Sequence, residues 1–236
     1  MKAAIMQPYF FPYLGYFSLI KHTDRFILLD TVQFIKRGWI ERNRVLNHGE
    51  GWTYIKVPLE RHSRNIAICD IVVRDNEDWR IKILAKLRHY KKQAPYFNIV
   101  MELCESAFSG VFEDIVSLNV AMLKAILGYL EIEKSIDIFS ELDINIEKPR
   151  APDEWCLNIC KAIGNVDEYW NPSGGKSFYD CAKYERCNIK LRFHEVALEP
   201  YNQNREGFEP GLSILDVMMF NSVQEVNKML DNYTLC

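Results

Sequence analysis

The sequence predicts an α/β fold, in which a mainly parallel sheet is interrupted by an inserted segment of antiparallel β-structure and helices. Two continuously apolar runs, residues 2–6 and 25–30, flank a stretch that can form a helix, and this order is typical of a right-handed βαβ unit. Strand-like and helix-like segments alternate again in the last third of the chain. The 236 residues can bury a core without disulfides, and we expect one domain over residues 1–236.

Local signals place the elements in chain order. Pro12 marks the start of a helix over residues 13–21. The inserted segment is predicted to have an antiparallel β part, about residues 39–75, and a helical part, about residues 77–130, where apolar residues recur at helical spacing. The β part contains short β-rich stretches at 39–46, 52–58 and 67–73. The last third is predicted to contain strands at 136–139, 166–170 and 189–195, helices at 153–163 and 178–185, and two final helices that begin at Ser213 and near Ser222.

Composition and charge exclude several classes of protein. The chain has 29 Lys plus Arg against 32 Asp plus Glu, a formal net charge of -3, so no basic field predicts nucleic acid as a partner. No apolar run reaches the ~18 residues of a membrane span, and the N-terminus lacks a signal-peptide pattern. The seven cysteines are an odd number without zinc-knuckle spacing. We therefore predict reduced thiols, no metal site and a cytoplasmic protein.

Three loops carry the candidate chemistry, and the first follows the first predicted strand. Ligands of parallel sheets bind beyond the carboxyl ends of the strands, and a helix N-terminus attracts anions. Gln7 and Tyr13 have polar tips and are candidates to contact a ligand, and Gly15 leaves room for close approach. The neighbouring Phe10 and Phe11 are predicted to cover the sheet.

The second loop follows the second predicted strand. Residues 34–44 contain four basic side chains and one acidic side chain, a local charge of +3 in a chain that is negative overall. Such a cluster suits a phosphorylated or carboxylated ligand, because Arg binds these groups through paired hydrogen bonds. A solvated run of charges is the alternative. The candidate residues of this loop are Asp30, Gln33, Lys36, Arg37, Arg42, Asn43 and Arg44.

The third loop contains Gly174, Gly175 and Lys176 between a predicted strand and a predicted helix. Trp170 stands where a P-loop requires glycine, so a P-loop NTPase is not predicted. A shorter glycine-rich anion cradle, followed by Asp180, is the functional interpretation, because backbone N–H groups at a helix start bind anions without the full motif. A plain strand-to-helix turn is the alternative.

The order of these motifs resembles the WbqC-like family from Met6 to about Asn221. The matching patterns are Gln-Pro-x-Phe-x-Pro-Tyr-x-Gly-Tyr-Phe from Gln7, Asp-x-Val-Gln-Phe-x-Lys-Arg-x-Trp-x-x-Arg-Asn-Arg from Asp30, Gly-Gly-Lys-x-x-x-Asp from Gly174, and Leu-Ser-Ile-Leu-Asp from Leu212. Members of this family occur among genes for surface polysaccharides such as O-antigen and for modified sugars. The resemblance therefore implies a bacterial enzyme of that biosynthesis, with glycyl or other acyl transfer to an amino sugar as the reaction.

The first motif also has a fainter similarity to the opening of pantothenate synthetase and related nucleotidyltransferases. That similarity implies a Rossmann-like, nucleotidyltransferase-like parallel sheet. The relatives carry His-x-Gly-His at the first helix, and the matching residues here are Tyr13-Leu14-Gly15-Tyr16. Tyr can donate a hydrogen bond to phosphate but brings no positive charge, so the basic residues of the second loop would have to supply it.

Three functions remain open from these residues. The first is acyl or aminoacyl transfer to a nucleotide-linked amino sugar, with Gln7 and Tyr13 orienting the substrate and Asp30 or His194 accepting a proton. The second is a nucleotidyltransferase that uses a nucleotide with Mg²⁺. The third is a non-catalytic binding subunit of a glycan-assembly system. All three functions imply a small anionic partner such as a nucleotide sugar. For His194, a structural role is the alternative to accepting a proton.

Overall fold

The computed structural model describes residues 1–75 and 78–236. Its strands are β1 (Lys2–Met6), β2 (Arg25–Leu28), β3 (Arg42–Leu46), β4 (Trp52–Lys56), β5 (Asp137–Ile138), β6 (Glu168–Pro172), β7 (Lys190–Val196) and β8 (Tyr233–Leu235). Its α-helices are α1 (Leu14–His22), α2 (Trp79–Leu87), α3 (Phe97–Phe108), α4 (Ile115–Tyr129), α5 (Glu154–Ile163), α6 (Cys181–Glu185), α7 (Ile214–Phe220) and α8 (Val223–Asp231).

A sheet of order β5-β2-β1-β6-β7-β8 forms the centre of the molecule. Neighbouring strands from β5 to β7 are parallel, and β8 joins the edge antiparallel to β7. The chain extends from β1 first to β2 on one side and later to β6 on the other side. The predicted α/β class with a mainly parallel, Rossmann-like sheet is therefore confirmed, and β1 and β6 flank the point where the strand order reverses.

Side chains of β1 alternate between two hydrophobic cores because successive residues of a strand point to opposite faces. Ala4 packs in the core that contains Phe17 of α1. Ala3 and Ile5 pack in the core that contains Ile159 of α5. The sheet is thus covered by helices on both faces, which explains why the predicted strands are continuously apolar.

The segment between β2 and β5 contains an antiparallel hairpin, in which Arg42 pairs with Lys56, and the helices α2 to α4. The hairpin and these helices share the hydrophobic core of the α1 face. The β-rich stretch predicted at 67–73 forms only isolated antiparallel bridges, at Ala67, Val72 and Val73. Between them Ile68–Asp70 form a short 3-10 turn, whose Ile68 and Cys69 amides donate to the loop that follows β2. Residue 77, the predicted start of the helical part, lies outside the described residues.

His194, a candidate proton acceptor, is instead a buried residue of β7. Its Nε2 lies 2.9 Å from the Ser18 hydroxyl of α1, and that hydroxyl donates its single proton to the Leu230 carbonyl. His194 Nε2–H therefore donates to Ser18, and the ring stacks on Tyr233 with centroids 4.6 Å apart. These contacts give His194 a structural role between the sheet and two helices.

Burial lowers the pKa of His194 to about 4, with a further contribution from His22. As the pH falls from about 6.5 to about 4, the unfolded chain takes up a proton at this position that the folded chain does not. We expect the free energy of unfolding to fall across this window, by on the order of 3 kcal/mol. Urea unfolding at a series of pH values measures how steeply the free energy of unfolding depends on pH. In His194→Gln this slope should correspond to about one proton fewer taken up on unfolding. An unchanged slope in His194→Gln would contradict the assignment.

In the part of the chain that the structure describes, every helix is too short or too polar to cross a bilayer.

Candidate functional site

A cavity of about 1170 Å³ opens beyond the carboxyl ends of the parallel strands. Its floor includes Met6 at the end of β1, Leu29 beyond β2 and Pro172 at the end of β6. Leu198, which follows β7, closes one side. This strand-end cavity lies where the strand order reverses, the position at which open parallel sheets bind their ligands.

Seven candidate residues from all three loops line this one cavity. They are Gln7, Tyr13, Gln33, Asn43, Arg44, Gly174 and Gly175. The third loop is separated from the first two by more than a hundred residues in sequence, and the parallel sheet brings them together. The single-site arrangement on which the candidate chemistry depends is therefore present for these seven residues.

The strand-end cavity is positively charged and partly aromatic. Arg44 and Arg150 are its cationic lining residues, and within residues 1–75 and 78–236 no Asp, Glu or His lines it. Trp39 and Trp155 are among the aromatic lining residues. Cations without competing carboxylates favour an anionic ligand, and the aromatic rings favour one that also carries a flat or apolar group.

The loop after β1 is held rigidly in the cavity wall. The Tyr16 hydroxyl donates to the Gln7 carbonyl at 2.8 Å, and the Phe10 amide donates to the Trp39 carbonyl at 2.8 Å. The Asn43 amide donates to the carbonyls of Phe10 and Phe11 at 3.0 and 2.8 Å. Phe10 and Phe11 are fully buried, as their predicted covering role requires. The loop therefore presents Gln7 and Tyr13 from a fixed backbone.

The missing side chain of Gly15 makes room for the Tyr13 ring and not directly for a ligand. A Cβ at Gly15 would lie 2.6 Å from the Tyr13 ring, so the missing side chain lets the ring fold back over the first turn of α1. Burial raises the pKa of the Tyr13 hydroxyl, which therefore stays a neutral hydrogen-bond donor. In the described ranges, neither that hydroxyl nor the Gln7 side-chain amide makes a hydrogen bond with the protein.

Arg44 has an unused hydrogen-bond donor. Its Nη2 donates to the Gly211 carbonyl at 3.0 Å, and its guanidinium lies 5.4 and 5.2 Å from the ring centroids of Trp39 and Trp52. Its Nε is buried and has no partner among the residues that the structure describes. A buried N–H without a partner is costly, and an anion bound in the cavity would satisfy it.

The third loop contributes backbone more than charge. A Cβ at Gly175 would lie 2.2 Å from the Asn171 amide, so glycine is required for Asn171 to occupy its position in the cavity wall. Lys176 lies outside the lining, with its ammonium 6.0 Å from the Phe193 ring. Asp180 caps α6 by accepting a hydrogen bond from the Ala182 amide. The geometry therefore places Lys176 and Asp180 away from the site and gives Asp180 a structural role.

Three basic candidates of the second loop also lie apart from the strand-end cavity. Lys36 and Arg37 line a different cavity. The Arg42 guanidinium lies 3.9 Å from the centroid of the Tyr54 ring and donates to the carbonyls of Arg37 and Gly38. Arg42 and Arg44 share one face of β3, but Arg42 stacks on Tyr54 whereas Arg44 lies against Trp39 and Trp52.

Asp30, the first candidate proton acceptor, is buried and committed to a structural contact. The Ser140 amide donates to one carboxylate oxygen at 3.0 Å, and the Ser140 hydroxyl donates to the other at 2.5 Å. Asp30 does not line the strand-end cavity. It instead ties the loop after β2 to the turn after β5.

Sequence reasoning missed part of the cavity wall. The segment 149–152 and Trp155 close it from the start of α5, and Phe178 and Tyr179 close it from the third loop. In the sequence, the two proline residues within 149–152 could have indicated an ordered loop just before a helix. Tyr179 also lies 3.4 Å from the Cys156 thiol, whose pKa is raised by burial, so this lining cysteine is a neutral thiol.

The lining does not fit a magnesium ion. Mg²⁺ sites in nucleotide enzymes use one or two protein carboxylates together with the phosphates, and the described lining of the strand-end cavity provides none. The described ranges also contain no group of three His, Cys, Asp or Glu side chains placed to hold a metal ion.

The comparisons with known proteins agree with the motif order. The family model of the WbqC-like protein family matches residues 7–228. The uncharacterized protein Rv1507c of Mycobacterium tuberculosis (strain ATCC 25618 / H37Rv) is 29% identical over 222 residues, which cover 93% of each chain. No solved structure matches. The match to the family model spans all three loops that build the strand-end cavity, and the chain belongs to the WbqC-like protein family.

Proposed function

We propose that this protein is a transferase of surface-polysaccharide or modified-sugar biosynthesis that acts on a nucleotide-linked sugar in the strand-end cavity. The reaction that we propose is acyl or aminoacyl transfer, such as glycyl transfer, to an amino group of that sugar. The observation that carries the proposal is a cavity at the strand-order reversal that combines two arginines, aromatic walls, the unused Gln7 amide and, among the described lining residues, no carboxylate.

Each part of a nucleotide sugar has a matching feature in the cavity. Arg44 offers an unpartnered buried N–H for a phosphate oxygen, and an arginine binds phosphate with charge-assisted hydrogen bonds. The aromatic side chains of Trp39 and Trp155 in the lining suit a nucleobase. The Gln7 side chain suits sugar hydroxyl and amide groups, because an amide both donates and accepts. Gln33, whose amide N–H donates to the Arg64 carbonyl at 2.9 Å, offers its side-chain oxygen as an acceptor.

The chemistry that this lining supports is orientation and hydrogen bonding. In acyl transfer the amine nitrogen forms a bond to the acyl carbon, the bond to the leaving group breaks, and the amine proton departs with that group or to solvent. Tyr13 and Gln7 are suited to donate hydrogen bonds to the oxyanion that develops on the acyl carbon. Holding donor and acceptor together supplies the rest of the rate enhancement.

Arg44→Gln tests the proposal, with Arg42→Gln as the matched control on the same strand. We expect Arg44→Gln to weaken binding of a UDP- or dTDP-linked sugar by roughly 10- to 100-fold, the effect of losing one charge-assisted hydrogen bond to phosphate. Arg42→Gln should bind as the wild type does, because Arg42 stacks on Tyr54 outside the cavity. Isothermal titration calorimetry of the purified chain measures both.

Three outcomes would count against this proposal. Equal losses in both variants would show that Arg44 has no special contact with the ligand. Binding of ATP alone from a panel of ATP with Mg²⁺, nucleotide sugars and coenzyme A would favour nucleotidyl transfer instead. Binding without any transfer to an amino sugar from acyl or aminoacyl donors would favour a non-catalytic binding subunit.

A further inference from the structure

A second cavity, of about 960 Å³, lies beside the strand-end cavity and shares a wall with it. The shared wall is residues 32–44, whose side chains divide between the two cavities. Gln33 and Ile35 line the strand-end cavity, whereas Phe34 and Lys36 line the second one. We call the second one the basic cavity, because of the residues that line it.

The basic cavity is rich in cationic side chains from three parts of the chain. Four of them are Lys36 and Arg37 of the shared wall, Lys56 of β4, and Arg61 of the loop that follows. In the described ranges, none of these four forms an ion pair with a carboxylate. Cations brought together without partners repel one another, and a bound anion relieves that repulsion.

A buried carboxylate lies among these cations. Glu41 is 3% exposed and lines the basic cavity. One of its oxygens accepts a hydrogen bond from the Arg37 amide at 2.8 Å, and the other, Oε2, is buried without a partner in the described part of the chain. A carboxylate oxygen can only accept, so its missing partner is a donor. A ligand with a hydroxyl group supplies one.

We propose that the basic cavity binds a phosphate monoester of a polyol, such as a sugar phosphate, at a site separate from the strand-end cavity. The phosphate lies among Lys36, Arg37, Lys56 and Arg61, where its two negative charges are matched. A hydroxyl of the same ligand donates to Glu41 Oε2. Cations together with one buried acceptor favour a phosphate that carries hydroxyl groups over inorganic phosphate. Without a hydroxyl to donate to it, the Glu41 carboxylate oxygen would only repel the bound anion.

Two probes that differ only in hydroxyl groups test this selection. Glycerol 3-phosphate and n-propyl phosphate have the same charge and the same carbon chain. By calorimetric titration of the full chain, we expect glycerol 3-phosphate to bind about tenfold more tightly, the value of one charge-assisted hydrogen bond. In Glu41→Gln this ratio should fall toward one, because the amide removes the charged acceptor while its oxygen can still accept from the Arg37 amide.

A second set of variants locates the phosphate. Lys36→Gln/Lys56→Gln should weaken both probes at least tenfold, and Lys190→Gln, an exposed lysine of β7, should change neither. Arg44→Gln should also leave both unchanged, so a failure here is distinguishable from a failure of the proposed function. Equal binding of the two probes to the wild type, or equal effects of the Lys36→Gln/Lys56→Gln and Lys190→Gln variants, would overturn the proposal.

Discussion

Replacement of Asp216 by alanine is expected to lower the free energy of unfolding by about 3–5 kcal/mol, the cost of breaking a buried charged network. Asp216 is fully buried in α7 and accepts hydrogen bonds from Tyr90, Tyr201 and Gln203. The Tyr90 hydroxyl in turn accepts from the Leu46 amide at 2.8 Å. Alanine would leave the Tyr90 and Tyr201 hydroxyls without an acceptor, at about 1–3 kcal/mol each, whereas the Gln203 amide also donates to the Glu209 carbonyl at 3.1 Å.

Urea unfolding of matched variants measures this effect. Asp231→Ala is the control, because its carboxylate pairs with Lys21 and His22 at the surface and should contribute less than about 1 kcal/mol. The loss of unfolding free energy in Asp216→Asn should lie between the losses in Asp216→Ala and Asp231→Ala, since the amide oxygen of asparagine still accepts hydrogen bonds.

Burial also raises the pKa of Asp216. The folded chain therefore holds this proton more tightly than the unfolded chain, and the contribution of Asp216 to stability decreases as the pH rises above about 3.8. A loss in Asp216→Ala no larger than in Asp231→Ala would refute the network.

Asn119→Ala is expected to lower the free energy of unfolding by about 2–4 kcal/mol and to weaken ligand binding in the strand-end cavity. The Asn119 amide, fully buried in α4, donates to the Pro8 carbonyl at 2.8 Å and to the Ile40 carbonyl at 3.0 Å. One side chain thereby joins the loop after β1 to the shared wall. Its loss leaves two buried carbonyls without a donor, at about 1–2 kcal/mol each.

Asn221→Ala provides the comparison for Asn119→Ala. The Asn221 amide is also buried but donates to the helix that directly precedes it, at the Val217 carbonyl of α7, with a distance of 2.7 Å. We expect it to cost about 1 kcal/mol and to leave ligand binding unchanged. Unfolding curves and calorimetric titration with the same nucleotide sugar compare the two variants. If Asn119→Ala unfolds at a lower denaturant concentration but binds the nucleotide sugar with unaltered affinity, the two loops do not depend on this link for their positions in the cavity.

The sheet and the position of the cavity were predictable because both follow from local sequence patterns and from the geometry of parallel strands. The continuous apolar runs of β1 and β2 indicate strands covered on both faces. Once the strands are parallel, their carboxyl ends lie at one edge, and Gln7, Arg44 and Gly174 meet there. No contact between distant residues has to be known for this inference.

The remainder of the site depends on contacts that are distant in sequence. Asp30 has the position of a catalytic acid or base, but Ser140, 110 residues later, occupies both of its oxygens. Lys36 and Arg44 belong to one run of charges and lie in different cavities. Side-chain direction in an irregular segment is set by its anchors, here Asn43 and Asn119, and composition alone does not contain that information.

The two outer strands of the central sheet have a consequence for how the protein behaves at high concentration. At one edge lies β5, Asp137–Ile138, and at the other lies β8, Tyr233–Leu235. An edge strand of two or three residues offers few free backbone groups to a strand of another molecule. The apolar strands β1 and β2 lie inside the sheet, where they are paired on both sides. The order of the strands thus keeps these two apolar strands from pairing with strands of another molecule.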